Sequence, residues 1–195
     1  MTAIVYGEVA RGERVVLREK RLSDAAEDFR WRSDAELARY DAARPFAGTY
    51  SDYLAIFEDE LRSPSQDRRS FSIDDLHGRH IGNVMFYNVD RVRREVEIGI
   101  TIGERAYWGH GYGSDAVRAF VRYLIERMGF QRVHLKTLEW NHRAQRAFMK
   151  AGFRVVARVR RGTASFYLME FLRDWLDQDG APAAVAGDDS SVTPA

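Results

Sequence analysis

The stretch YWGHGYGSDAVRAF, residues 107–120, places three glycines within five positions and then continues, without a proline, into a helical pattern. Glycines at alternate positions serve where the backbone takes angles closed to other residues, or where a ligand lies against bare peptide groups. The first N–H groups of a helix have no intrahelical acceptor, so a glycine-rich turn at a helix start can bind an anion. We therefore predict a phosphate or pyrophosphate site here. A tight turn without a ligand is the alternative.

Two familiar phosphate-binding loops do not match this stretch. A Walker loop ends in Gly-Lys-Ser/Thr, whereas the corresponding residues are Gly113, Ser114 and Asp115, with no lysine. A dinucleotide fingerprint needs a different glycine spacing and a parallel strand–helix–strand unit, and the strands predicted before this loop are antiparallel. The loop is therefore assigned to neither class.

The chain around the loop alternates between strand-like and helix-like segments. Strands are predicted at 14–19, 69–73, 80–89, 95–102, 133–138, 153–160 and 164–171. Helices are predicted at 23–40 as one helix or two with a Ser23 cap, at 51–62, from the glycine loop to Gly129, and at 141–151. The apolar stripe of the helix after the loop is Ala116, Val117, Phe120, Val121, Leu124, Ile125 and Met128. The predicted fold is a mixed α/β sheet of six or seven largely antiparallel strands, flanked by helices.

The length and composition favour one cytoplasmic domain. The chain has 195 residues, 45% of them hydrophobic and 30% charged, with a formal charge of +1 and no cysteine. This balance favours neither nucleic acid nor an anionic membrane as a partner, and the absence of cysteine suits a reducing compartment. No apolar run suggests a signal peptide or membrane span, and no metal is expected. We assign 1–178 to one domain and the small, polar segment 179–195 to a flexible tail.

The region from the last strand before the loop to Phe153 resembles the coenzyme A core of the GNAT (Gcn5-related) N-acetyltransferases. The resemblance is strongest to the ribosomal-protein N-terminal and polyamine acetyltransferases. The family loop, Arg/Gln-x-x-Gly-x-Gly/Ala, corresponds to residues 108–113, with Trp108 in place of Arg or Gln. The Asn141 that opens the later helix and the Gly152–Phe153 that follow it are a second family mark.

This resemblance implies acetyl-CoA as co-substrate and a set of residues that contact it. The loop would hold the pyrophosphate, and the end of the preceding strand would hold the pantetheine and the thioester oxygen. The later helix would border the pantetheine arm. The implied cofactor-binding residues are Ile100, Thr101, Ile102, Trp108, Gly109, His110, Gly111, Tyr112, Gly113, Ser114, Asn141 and Phe148. For Asn141, a helix cap alone is the alternative.

The resemblance also assigns the proton transfers. A glutamate on the strand before the loop commonly takes the proton of the amine, and the matching residue is Glu97. A solvated strand charge is the alternative, since Glu95 lies on the same face. The tyrosine that often protonates the leaving thiolate is replaced by Phe148. Tyr107, Tyr112, Tyr167 or solvent would then supply that proton, and His110 is a weaker catalytic candidate.

Two functions follow from these residues. The first is transfer of an acetyl group to a primary amine of a small molecule, polyamine-like or other, or of a protein N-terminus. The second is a catalytically weak sensor of acyl-CoA, suggested by Trp108 and Phe148. Trp31 and Trp140 would line the acceptor cleft or fill the core, and the sequence leaves a homodimer open. Acidic residues are frequent in the early helices, where they would suit a cationic acceptor or form ordinary solvated helix faces. They are Asp24, Glu27, Asp28, Asp34, Glu36, Asp41, Asp52, Glu58, Asp59 and Glu60.

Overall fold

A computed structural model describes residues 7–178, and the tail assigned to 179–195 lies outside the described residues. The described chain forms one eight-stranded sheet with five α-helices. The strands are β1 Glu8–Arg11, β2 Val15–Glu19, β3 Arg69–Asp75, β4 His80–Asp90, β5 Glu95–Ile102, β6 Arg132–Leu138, β7 Arg154–Arg161 and β8 Ala164–Leu172. The helices are α1 Ala25–Arg32, α2 Ala35–Tyr40, α3 Tyr50–Arg62, α4 Tyr112–Glu126 and α5 His142–Lys150.

The strand order is β1-β2-β3-β4-β5-β6-β8-β7, and every neighbouring pair is antiparallel except β5 and β6. The predicted α/β class and the meander of β3, β4 and β5 are confirmed. The prediction of six or seven strands missed β1, a four-residue strand that pairs with β2. Four residues between Gly7 and Gly12 are too few to show a clear alternation.

The central helix α4 covers one face of the sheet. Its predicted apolar stripe is buried from Ala116 to Ile125, whereas Met128 lies past the end of the helix and is 38% exposed. Phe120 and Leu124 pack with Val15, Phe71 and other core side chains. A positive φ of 78° at Gly129 redirects the chain after the helix. This packing fixes where the glycine-rich turn meets the sheet.

The helices α1, α2 and α3 belong to the opposite side of the sheet. The predicted cap residue Ser23 was wrong, because Asp24 precedes α1 without a side-chain cap bond. Thr49 caps α3. Thr49 Oγ1 accepts from the N–H of Asp52, whose carboxylate accepts from the N–H of Thr49, so the two residues form a reciprocal capping box. The predicted 23–40 segment is two helices.

A buried ionic network lies between α1 and the sheet. Arg18 donates to both carboxylate oxygens of Asp24, at 2.7 and 2.9 Å, and to Asp74 at 2.6 Å. Ser72 also donates to Asp24 at 2.8 Å. Burial disfavours the charge on Asp24, but these hydrogen bonds outweigh it and hold the pKa of Asp24 well below its ordinary value. The network fixes the start of α1 against β2 and β3.

Candidate active site

The site begins where two neighbouring strands separate. β5 and β6 pair in parallel only at residues 95–97 and 132–134, a short ladder that we call the seam. Beyond Glu97 and His134 the strands diverge, so residues 98–102 pair with β4 but not with β6. The divergence opens the sheet and leaves backbone groups of both strands facing a gap.

A cleft of about 1330 Å³ extends from this gap toward α1 and α3. Residues 98–101 line it on the β5 side, and Leu135–Leu138 line it on the β6 side. Asn141, Ala144 and Phe148 of α5 close one end. The cleft therefore brings together two of the three segments that the resemblance assigns to coenzyme A, all except the glycine turn.

The glycine-rich turn connects the end of β5 to the start of α4. Gly109 and Gly111 have φ values of 80° and 88°, in the left-handed region that favours glycine. Gly111 is the residue before the first helical residue, and the first turn of α4 leaves N–H groups without intrahelical acceptors. Ser114 Oγ donates to the carbonyl of Gly111 at 2.9 Å. This is the geometry that the prediction of an anion site requires.

The side chain of Trp108 folds back onto the end of β5. Its Nε1 donates to the carbonyl of Ile102 at 2.6 Å. The Arg143 guanidinium lies 3.5 Å from the centre of the Trp108 ring, and the ring of Tyr40 meets it edge-on at 5.7 Å. Trp108 thus joins the loop to α2 and α5. Its predicted contact with the cofactor stays a prediction.

The other loop residues differ in their surroundings. His110 is exposed and Tyr112 is half-buried, with its ring 4.8 Å from the ring of Tyr107. Sequence reasoning missed Asp115, which is buried and accepts from the N–H groups of Glu13 and Arg14 at 3.2 and 2.8 Å. Asp115 therefore ties the first turn of α4 to the turn between β1 and β2.

Asn141 and Phe148 both border the cleft from α5. Asn141 Oδ1 caps the helix by accepting from the N–H of Ala144 at 3.2 Å, and the residue is 7% exposed. Its cap role is confirmed, and its contact with pantetheine stays a prediction. Phe148 is buried and its ring centre lies 6.2 Å from that of Phe153. No hydroxyl is present at the position of the family tyrosine.

Glu97 is buried in an ion pair, not a solvated strand charge. Its carboxylate accepts from Lys136 Nζ at 2.8 Å and from Asn88 Nδ2 at 2.9 Å, and Tyr87 Oη lies 3.4 Å away. Burial disfavours its charge, but the bonds from Lys136 and Asn88 prevail and lower its pKa. A carboxylate with a lowered pKa is a weak base, and the catalytic role of Glu97 stays a prediction.

Two of the three phenols proposed as proton donors are engaged elsewhere. Tyr107 Oη donates to Asp75 at 2.8 Å, and Tyr167 Oη lies 3.4 Å from Glu139. Sequence reasoning missed Tyr87, which lines the cleft and whose pKa is raised to about 12 by burial and by Glu97. The sequence could have pointed to Tyr87, because it lies on β4 two residues after Met85 and therefore on the same face of the sheet.

The acceptor side of the cleft carries balanced charge, not the acidic excess considered above. Of the acidic residues that the sequence offered for a cationic acceptor, Asp28, Asp41 and Glu60 line the cleft. Asp34 and Glu36 pair with Arg105 instead. The charged lining residues are Glu19, Asp28, Asp41, Glu60, Asp67, Lys20, Arg32, Arg68, Arg69 and Lys136. The cleft therefore has as many cations as carboxylates.

Aromatic and apolar side chains make up much of the acceptor side. Trp31 is buried and lines the cleft, whereas Trp140 is 42% exposed and packs against Tyr40. The further apolar side chains that line this side are Phe46, Tyr53, Ile56, Phe57, Leu61 and Met85. An apolar surface of this kind suits the carbon skeleton of a ligand.

A second buried network forms the floor of the cleft between α1 and β4. Asp28 contacts Lys20, His80 and Asn83, and its distance to His80 Nε2 is 3.1 Å. Burial lowers the pKa of Lys20, although Asp28 opposes the change. These side chains satisfy one another's hydrogen-bonding groups, so we assign them a structural role in the floor of the cleft.

No cluster of three or more histidine or acidic side chains among residues 7–178 is arranged to hold a metal ion. No helix within the described range has the length and apolar character needed to cross a membrane.

Comparisons with known proteins agree with this geometry. The family described as "Acetyltransferase (GNAT) domain" matches residues 14–154, so the chain belongs to the GNAT acetyltransferases. An uncharacterised N-acetyltransferase of Bacillus licheniformis, p20, is 28% identical over 126 residues, which are 64% of this chain and 70% of that protein. The chain is accordingly an N-acetyltransferase.

Solved structures share the fold at lower identity. The spermidine N-acetyltransferase of Vibrio cholerae, in complex with CoA and spermine, has a TM-score of 0.72 and 15% identity, covering 82% of this chain and 96% of that one. The aminoglycoside acetyltransferase AAC(6')-Ib, in complex with coenzyme A, has a TM-score of 0.71 and 21% identity, covering 86% and 99%. These structural similarities show that the chain has the same fold as these two acetyltransferases.

Proposed function

We propose that this protein transfers the acetyl group of acetyl-CoA to a primary amine that enters the cleft from the side of α1 and α3. The observation that carries the proposal is the divergence of β5 and β6 beyond the seam, beside the glycine-rich turn. The gap offers backbone donors to the pantetheine arm, and the start of α4 offers donors to the pyrophosphate. Residues 100–102, 108–114, Asn141 and Phe148 are proposed as the cofactor contacts.

The acceptor is a primary amine of a small molecule or of a protein N-terminus. The Vibrio cholerae relative is in complex with spermine, and AAC(6')-Ib is also known in complex with kanamycin. Spermine and kanamycin each carry several amino groups, whereas the cleft of this chain is balanced in charge and rich in aromatic side chains. This lining favours an acceptor with one ammonium group on an apolar body, since aromatic faces also attract cations.

The experiment is a CoA-release assay with saturating acetyl-CoA across four acceptors: 2-phenylethylamine, a short peptide with a free N-terminal alanine, spermine and kanamycin. We expect acetyl-CoA to bind in calorimetry and one of the first two amines to give the highest kcat/KM. Failure of the folded protein to bind acetyl-CoA would contradict the proposed transfer. Highest activity on spermine or kanamycin would contradict the proposed acceptor class alone.

A further inference from the structure

The carboxylate of Asp41 stands in the cleft at the end of α2. The N–H of Asp41 donates to the carbonyl of Leu37 at 3.1 Å, and the next residue, Ala42, has a φ of 52°. The N–H of Ala43 then donates to the carbonyl of Ala38 at 2.9 Å. The helix end and the left-handed turn together hold the Asp41 side chain toward β5.

Asp41 contacts the strand that borders the proposed thioester site. Thr101 Oγ1 donates to Asp41 Oδ2 at 2.9 Å. Thr101 lies on β5 beyond the seam, between Ile100 and Ile102, where that strand has left β6. Its side chain faces α1–α3, as does that of Asn83, its partner on β4. Asp41 therefore lies at the point where an amine from the acceptor side would meet the thioester.

Three other carboxylates close to the cleft are already paired with cations. Glu97 binds Lys136, Asp28 binds Lys20, and Glu19 binds Arg69. Within residues 7–178, no lysine, arginine or histidine lies within ion-pair distance of Asp41. The Asp41 side chain is accessible from the cleft, and its remaining oxygen is open to a ligand.

From this geometry we propose that Asp41 accepts the proton of the acceptor amine and so acts as the general base, an assignment that rests on the proposed acetyl transfer. The acceptor enters as an ammonium ion, and one N–H proton passes to the Asp41 carboxylate. The neutral nitrogen attacks the thioester carbon and forms the N–C bond. The C–S bond then breaks with its electron pair on sulfur. The second N–H proton passes to that sulfur, and Asp41 releases its proton to solvent in the open cleft.

The charge environment of Asp41 suits this role. Asp41 is exposed to the open cleft, and desolvation by the protein around it raises the pKa of its carboxylate to about 6. The Thr101 hydroxyl on β5 and the Arg32 guanidinium on α1 oppose the rise. Tyr87 on β4 also faces this carboxylate. A base works best when its pKa lies near the working pH, and Asp41 is ionised but readily protonated there.

The test compares the wild type with Asp41→Asn and Asp41→Glu on the most active amine of the four-acceptor assay. Asp59→Asn is the matched control, because Asp59 is exposed on α3 outside the cleft. For the wild type, we expect kcat/KM to rise with pH through about pH 6. We expect Asp41→Asn to lower kcat about 100-fold or more, to remove that rise, and to leave acetyl-CoA affinity within about twofold. Asp41→Glu should recover part of the rate.

Several outcomes would overturn this assignment. A rate for Asp41→Asn within threefold of the wild type, with the same rise in kcat/KM, would show that another group takes the proton. A wild type that binds acetyl-CoA but acetylates none of the four amines would contradict the base together with the acceptor proposal. If Asp41→Asn does not fold, the carboxyl carbon of Asp41 can be titrated by NMR in the wild type. An Asp41 pKa at or below the ordinary value of about 3.9 would overturn the proposal.

Discussion

Lys136 Nζ lies 2.8 Å from Glu97 Oε1, across the seam at the point where β5 and β6 separate. Asn88 Nδ2 donates to the other carboxylate oxygen at 2.9 Å. Both oxygens of Glu97 are therefore engaged at the inner end of the cleft. This relationship indicates that Glu97 holds the two strands together at the seam.

Glu97→Gln should lower the free energy of unfolding at pH 7 by about 1–3 kcal/mol, because Lys136 loses its charged partner in a half-buried site. The folded pKa of Glu97 is lowered, so its stabilising contribution is present above the unfolded pKa of about 4.3 and is lost as the pH falls through the folded pKa. The difference between wild type and variant should therefore shrink in acid. Urea unfolding at several pH values measures both effects.

Glu95→Gln is the matched control, because its partner Arg132 keeps a second carboxylate, Glu170, at 2.6 Å. The loss of stability in this variant should be smaller. Equal urea midpoints for the wild type and Glu97→Gln at pH 7 would show that the Lys136 pair contributes nothing.

Gly111→Val should abolish acetyl-CoA binding in calorimetry. A β-branched residue is strained at the φ of 88° found at Gly111, and its side chain would disturb the turn whose N–H groups we assign to the pyrophosphate. In Gly113→Ala, the new methyl group would meet Ile102 Cγ1 at 3.7 Å, an ordinary contact. The backbone N–H that we assign to the cofactor would stay in place, so this control should fold and keep binding. A folded Gly111→Val variant with wild-type affinity would refute the loop assignment.

Phe148→Tyr should change kcat by less than tenfold, because the thiolate of coenzyme A leaves readily without a nearby acid. Phe148 is buried against Phe153, so an added hydroxyl without a partner would cost about 1–3 kcal/mol of stability. Turnover at saturating acetyl-CoA and thermal unfolding measure the two effects. A gain of tenfold or more, about 1.4 kcal/mol of barrier, would instead identify a missing acid.

Asp24→Asn should destabilise the protein by about 3–5 kcal/mol, because the buried Asp24 accepts two hydrogen bonds from Arg18 and one from Ser72. The folded pKa of Asp24 is lowered, so the stability that it provides is present above the unfolded value of about 3.9 and is lost only below it. Urea unfolding at pH 7 is the measurement. A loss below 1 kcal/mol would mean that Arg18 finds another partner.

Features carried by local patterns could be predicted from the sequence. The glycine spacing predicted the turn before α4, and the apolar stripe predicted the buried face of that helix as far as Ile125. The correct cap of α3 was also readable, because Thr49 and Asp52 are spaced as a capping box. The four-residue β1 lacked enough length for a pattern.

The partners of the site residues could not be predicted in the same way. Lys136 is 39 positions from Glu97, and Thr101 is 60 positions from Asp41, so only the folded sheet brings each pair together. Charge balance in the cleft likewise depends on which side chains face inward. The sequence showed the acidic residues of the early helices but not the cations opposite them.

The seam divides the sheet into two groups of strands, β1–β5 on one side and β6, β8 and β7 on the other, joined by three residue pairs. One hydrophobic core packs against both groups, so we expect the short backbone ladder at the seam to show weaker protection in amide hydrogen exchange than the ladders within either group. A ligand bound across the gap would connect the groups and should raise the protection of the amides beside the seam. A cofactor bound in this gap, as we propose for acetyl-CoA, would thus become a structural link between the two halves of the sheet.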